Sequence, residues 1–239
     1  MRFSKWHALG NTYLVAEPDD GGPLTEGVVR ERCRDADGVV EIIGAGKDEV
    51  DVVIWNADGS TAEMSGNGTR IAARWLAERT GAESVRVRVG EREVVARMLG
   101  GADAETDMGE VAVGERELVA GVDLVVVSIG NPHAIVQGDP DDVERLGPLL
   151  TTHARFPAGV NVEIARVDGP GEVTARVWER GVGETSASGT GAVAVAAATH
   201  RDGEVTVRFP GGPLRVRLDQ GRAYLTGPAA PVSRSEDAA

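Results

Sequence analysis

The chain has 239 residues, 41% hydrophobic and 26% charged, so it is long enough for a sizeable core and too apolar to stay disordered. A net charge of −13 with only 4% aromatic residues argues against phosphate backbones, anionic membrane surfaces and base-stacking platforms as partners. The single cysteine, Cys33, excludes a disulfide framework, an iron–sulfur cluster and a cysteine-held zinc.

In chain order, the residues read as a β-rich chain with few helices. Lys5 falls in a first strand, and the apolar period of Leu24–Arg34 predicts a helix over 25–34 that buries Cys33. Strands are predicted at 50–55, 84–89, 93–98, 122–129, 160–167, 173–178 and 205–209, where β-branched residues cluster. Helices are predicted at 66–80, 141–150 and 189–200. In the first of these, Ile71, Ala72, Trp75 and Leu76 form one apolar stripe. The last is almost wholly Ala and Val, which predicts burial all round. No apolar run reaches the ~18 residues of a membrane span, and no signal-peptide core follows Met1, so a cytoplasmic location is expected.

The chain repeats itself half a length apart. Gly10-Asn11 is followed by Tyr13-Leu14-Val15, and Gly130-Asn131 by His133-Ala134-Ile135. Asn56 ends one strand and Glu179 the corresponding one. Each of these precedes a Ser-Gly-x-Gly helix start by the same interval: Ser65-Gly66-Asn67-Gly68 and Ser188-Gly189-Thr190-Gly191. Three features in one order point to two homologous halves and an α+β fold. The halves are expected over 1–113 and 114–225, with the segment from about 226 to 239 returning to the first.

Serine before a helix is an N-cap, which accounts for either serine alone. Glycine inside a first helical turn costs ~1 kcal/mol against alanine, so the paired glycines predict a ligand pressed on bare backbone. Two helix N-termini offer N–H groups and partial positive charge to a carboxylate. A carboxylate held there accepts charge when the adjacent carbon loses its proton. Acid/base groups in both halves would then invert that carbon, with no cofactor. Of the two lysines, Lys5 in a strand and Lys47 in a glycine-rich loop are poor Schiff-base candidates. The histidines lack metal-site spacing, and no metal is expected. A serine hydrolase is disfavoured because Glu63 and Ser186 stand where the nucleophile elbow needs glycine. A dinucleotide fingerprint over Gly189-Thr190-Gly191 does not explain its near-copy in the other half.

With Phe3–Asn11, Ala36-Asp37-Gly38, Asn56–Ser60, Gly66-Asn67-Gly68, Gly130–His133, Glu179–Thr185, Gly189-Thr190-Gly191 and Pro210-Gly211-Gly212, the chain resembles the diaminopimelate epimerase family nearly end to end. That resemblance implies two halves, each a curled sheet around a central helix, with a substrate cleft between them. It implies cofactor-independent interconversion of LL- and meso-diaminopimelate in lysine and peptidoglycan biosynthesis, and a homodimer. Matching positions make Asn11, Asn56, Asn131 and Asn161 polar-group ligands of the substrate. Glu179 and Arg180 would take its charged ends, and the backbone at Gly66, Asn67, Gly189 and Thr190 its α-carboxylate. His133 and Glu184 would support the acid/base pair. The chain departs from the family at that pair: Ser65 and Ser188 replace two cysteines. Thr12 stands where the family usually has an acid, the Gly-x-Gly before Ala36 is missing, and the chain is shorter. A serine hydroxyl is far less acidic than a thiol of pKa ~8.5, so a serine needs a relay through Glu184 or His133. The alternatives are a binder without catalysis, or an isomerase of another amino acid.

Overall fold

The computed structural model describes residues 1–17, 22–62 and 65–233. The chain divides into two compact units, one of Met1–Asp107 with the chain from Gly227 onward, the other of Met108–Thr226. The sheets are mixed and the helices few. The long helices are α2 (Gly66–Thr80), α3 (Val143–Thr151) and α4 (Gly189–Thr199), with a shorter α1 (Glu26–Arg32) before them.

In the first unit, Ala230–Ser233 lies antiparallel to Arg2–Ala8, which pairs antiparallel with Asn11–Glu17. Asn11–Glu17 runs parallel to Gly38–Ala45, and Gly38–Ala45 antiparallel to Glu49–Asn56. Glu49–Asn56 runs parallel to Ser84–Val89, which pairs antiparallel with Arg92–Met98. The second unit repeats this sequence of directions. Ala112–Val119 lies antiparallel to Val122–Ser128, then Pro132–Gln137 antiparallel, Asn161–Gly169 parallel and Glu172–Glu179 antiparallel. Gly203–Phe209 follows parallel and Gly212–Asp219 antiparallel.

Each sheet closes on a helix. α2 touches six strands of the first unit, from Arg2–Ala8 to Arg92–Met98, and α4 touches the six equivalent strands of its own unit. One helix can meet six strands only if the sheet curls round it. The core of the first unit gathers Ile71, Ala72, Trp75 and Leu76 of α2 against Val15, Val40, Ile42, Val52, Ile54, Val85 and Val87. Burial in α2 exceeds a stripe: Gly66 to Ala73 are all buried, Arg70 among them. Gly81, left-handed at φ +74°, ends the helix and donates to the Ala77 carbonyl at 2.8 Å. α4 is buried at Gly189 and from Gly191 to Ala196, as its Ala/Val composition predicts.

α1 and α3 cover the outer faces. α3 packs Val143, Leu146 and Leu150 on Val162 and Ile164, and lies close on Trp178 because position 147 is glycine, where a Cβ would sit 2.6 Å from the indole. Behind α1, Cys33 is buried with Val29, Val39 and Ala16. Burial, and then the charge of Asp37, push its thiol pKa up, which disfavours thiolate chemistry. Among the described residues, no helix is long and apolar enough to cross a membrane.

Candidate active site

Each unit presents one helix start with a serine on it. Ser65 is in the extended conformation (φ −143°, ψ 119°), and its Oγ accepts the Gly68 N–H at 3.1 Å. Ser188 is alike (φ −128°, ψ 128°), with Oγ accepting the Gly191 N–H at 3.1 Å. An α-helix leaves its first N–H groups without intrahelical partners, so those of Gly66, Asn67, Gly189 and Thr190 lie at positive helix ends. Both serines are therefore N-caps by geometry.

The glycines of the two motifs have a packing reason. A Cβ on Gly68 would come within 2.9 Å of Ile54 Cδ1, so this glycine lets α2 approach its sheet. A Cβ on Gly191 would sit 2.6 Å from Glu163 Oε1 and 3.0 Å from Ser188 Cβ. Bare backbone at these two positions thus makes room for neighbouring side chains of the same unit.

Glu163 is the residue that sequence reasoning missed. It lies fully buried on the Asn161–Gly169 strand, with Oε1 at 2.7 Å from His133 Nδ1. His133 is also fully buried, and its Nε2 is 3.1 Å from Asn131 Oδ1. Asn131 Nδ2 in turn reaches Thr190 Oγ1 at 3.4 Å. One chain of contacts joins Glu163, His133, Asn131 and Thr190 at the start of α4. Oxygens thus face both ring nitrogens of His133, which fixes the orientation of the ring. Glu163 Oε2 is buried without a hydrogen-bond partner among the described residues, at a cost of about 1–3 kcal/mol.

Glu184 is not that partner. Its carboxylate accepts from Arg176 at 2.7 and 2.8 Å, and Arg176 also bonds Asp141 and Glu144. These three carboxylates hold the guanidinium pKa above its ordinary value, Glu184 most strongly. Asn161 and Arg180 do come together: Asn161 Oδ1 accepts the Arg180 backbone N–H at 2.9 Å. Arg180 lies on the turn after the Glu172–Glu179 strand, beside left-handed Gly159, whose missing side chain leaves room for it. Glu179 accepts from Thr185 Oγ1 at that strand's end.

In the first unit, Asn56 ends the matching strand, exposed, with its Nδ2 on Ser60 Oγ at 2.9 Å. Its carbonyl accepts the Gly59 N–H as Glu179's accepts that of Val182, so both strand ends make the same turn. Asn11 opens its strand after a two-residue turn in which Leu9 (φ +50°) and Gly10 (φ +79°) are both left-handed. Two residues on, Tyr13 places its hydroxyl 3.2 Å from Ser65 Oγ. Asn67 Oδ1 accepts from the fully buried Arg70, whose Nε and Nη1 lack partners among the described residues. Burial brings the Arg70 pKa down to about 10, while negative charge at Tyr13 and Asp103 opposes the fall.

These half-sites sit on a fold with known counterparts. A predicted epimerase from Pseudomonas aeruginosa superposes with a TM-score of 0.78 at 18% identity, over 100% of this chain and 99% of that one, which shows a common fold. A diaminopimelate epimerase from Desulforudis audaxviator is 38% identical, covering 97% of each chain. One from Heliobacterium modesticaldum is 36% identical, covering 99% of each. The family model described as diaminopimelate epimerase matches residues 3–113 and 125–232, so both serine-capped helix starts lie within the match. By that match and those relatives, this chain belongs to the diaminopimelate epimerase family of isomerases.

Proposed function

We propose that the protein is a cofactor-independent epimerase acting on the α-carbon of LL-diaminopimelate to give the meso form, and back. The observation that carries this reading is the pair of equivalent helix starts, each with a serine Oγ 3.1 Å from the third N–H of its helix. One serine removes the α-proton and the other returns a proton on the opposite face. The first-turn N–H groups take up the charge that develops on the α-carboxylate. A helix end supplies at most ~2 kcal/mol, too little to make serine an alkoxide at neutral pH. Each serine therefore passes its proton to a stronger group. At Ser188 that role falls to His133, whose ring Glu163 holds at 2.7 Å. Asn11, Asn56, Asn131, Asn161, Glu179 and Arg180 bind the polar ends of the substrate.

Incubation with diaminopimelate in deuterated water tests the reading: deuterium is expected at the α-carbon, together with the second stereoisomer. Absence of exchange from every amino acid in a panel would overturn it. Ser65→Cys with Ser188→Cys is expected to raise the rate, because a thiolate forms readily at a helix N-terminus. One observation favours a second reading. Both serines spend an acceptor site on a capping bond, as they would in a protein that binds an amino acid without altering it. Calorimetric binding without exchange would select that reading.

A further inference from the structure

We propose that Tyr13 is the proton relay behind Ser65, taking the serine hydroxyl proton as Ser65 takes the α-proton of the substrate. The inference rests on the epimerase reading above and assigns its missing base. Ser65 Oγ already accepts the Gly68 N–H, and its own proton is free to point at Tyr13 Oη, 3.2 Å away. The tyrosine ring is fixed for this. Its Cε1 edge lies over Gly38, where a Cβ would come within 2.8 Å, and it packs on the core of its unit.

The internal repeat singles out the same residue independently. Tyr13 stands two residues after Asn11, as His133 stands two after Asn131. Both sit on equivalent strands and pair in parallel with the next strand, Tyr13 with Gly38 and His133 with Asn161. So the position that holds the acid/base imidazole beside α4 holds a phenol beside α2. The charges behind them are opposite. His133 faces the buried carboxylate of Glu163, whereas in the first unit the buried charge near Tyr13 is a cation, the guanidinium of Arg70, whose pKa negative charge at Tyr13 would raise. A buried cation lacking full pairing is costly, and negative charge on Tyr13 relieves it.

The step balances. The Cα–H bond breaks and leaves its electron pair on the α-carbon and carboxylate. Its proton bonds to Ser65 Oγ, and the original hydroxyl proton of Ser65 passes to the Tyr13 phenolate. Tyr13 ends as a neutral phenol, and the reverse reaction empties it again. Tyr13 acts through Ser65 and does not touch the substrate.

The test compares wild type, Tyr13→Phe, Ser65→Cys and Tyr13→Phe with Ser65→Cys for deuterium exchange into LL- and meso-diaminopimelate. Tyr13→Phe keeps the ring over Gly38 and removes only the hydroxyl. It is expected to lower kcat by about 100-fold or more with KM within about twofold. A thiol needs no relay, so the double variant should exchange within about tenfold of Ser65→Cys alone. A Tyr13→Phe protein that exchanges at the wild-type rate overturns the relay. So does a double variant as slow as Tyr13→Phe, because that outcome assigns the hydroxyl a structural role. Wild type that exchanges no amino acid overturns the epimerase reading itself and the relay with it, so the two failures are distinct.

Discussion

At the scale of single residues, the two motif glycines differ in what they make room for. Gly68 yields to the end of an Ile54 side chain, while Gly191 yields to a carboxylate oxygen that His133 holds in place. Alanine at either position gains about 1 kcal/mol of helix propensity. At 191 the new methyl must also displace Glu163 from a buried pair, a clash of about 1–3 kcal/mol or more. Gly68→Ala should therefore leave the urea midpoint nearly unchanged. Gly191→Ala should lower it and also slow exchange, because His133 loses its partner. Equal midpoints for the two variants would show that Glu163 moves freely. The sequence held a sign of Glu163: one carboxylate inside the apolar run 160–167, a strand composition that belongs to a buried position. Arg70 was hidden in the same way, a charge among Gly, Thr, Ile and Ala where an amphipathic stripe was expected. Glu184 stood out because it sits in a family motif, but its neighbour in space is Arg176.

At the scale of elements, β-branched runs made eight of the eighteen strands among the described residues readable, and apolar periods with the Ser-Gly-x-Gly starts made all four α-helices readable. The strands Asp103–Glu110 and Ala112–Val119 were not readable. The first alternates buried and partly buried residues, but its sequence DAETDMGE offers Ala, Thr and Met where a strand signal needs Val or Ile. The second is exposed along nearly its whole length, so no apolar period marks it. The helix starts themselves make an energetic prediction. Ser65→Ala removes the acceptor for the Gly68 N–H and should cost about 1 kcal/mol of stability, while Ser65→Gly should cost only a few tenths. Chemical denaturation of the two variants measures the cap apart from catalysis, since neither retains a hydroxyl.

At the scale of the whole molecule, the repeat seen in three short motifs extends to every strand direction and to the six strands around each central helix. The equivalence includes an edge. Ala112–Val119 flanks Val122–Ser128 in the second unit as Ala230–Ser233 flanks Arg2–Ala8 in the first. The second unit draws its edge strand from its own start, but the first borrows one from beyond the second. Removal of residues 230–239 should therefore unpair Arg2–Ala8, and limited proteolysis should then cut within residues 1–17 before any site in 122–219. Survival of the first strands would show that the edge is dispensable.

That borrowed strand also sets an order of assembly. A chain emerging from the ribosome completes every strand of the second unit while the first still lacks one. The half with Tyr13 and Ser65 is therefore sealed last, after the half with His133 and Ser188 has been able to close on its own. A nascent chain arrested before residue 230 would carry one finished half-site and one open sheet edge, exposed to pairing with other chains until the last strand docks.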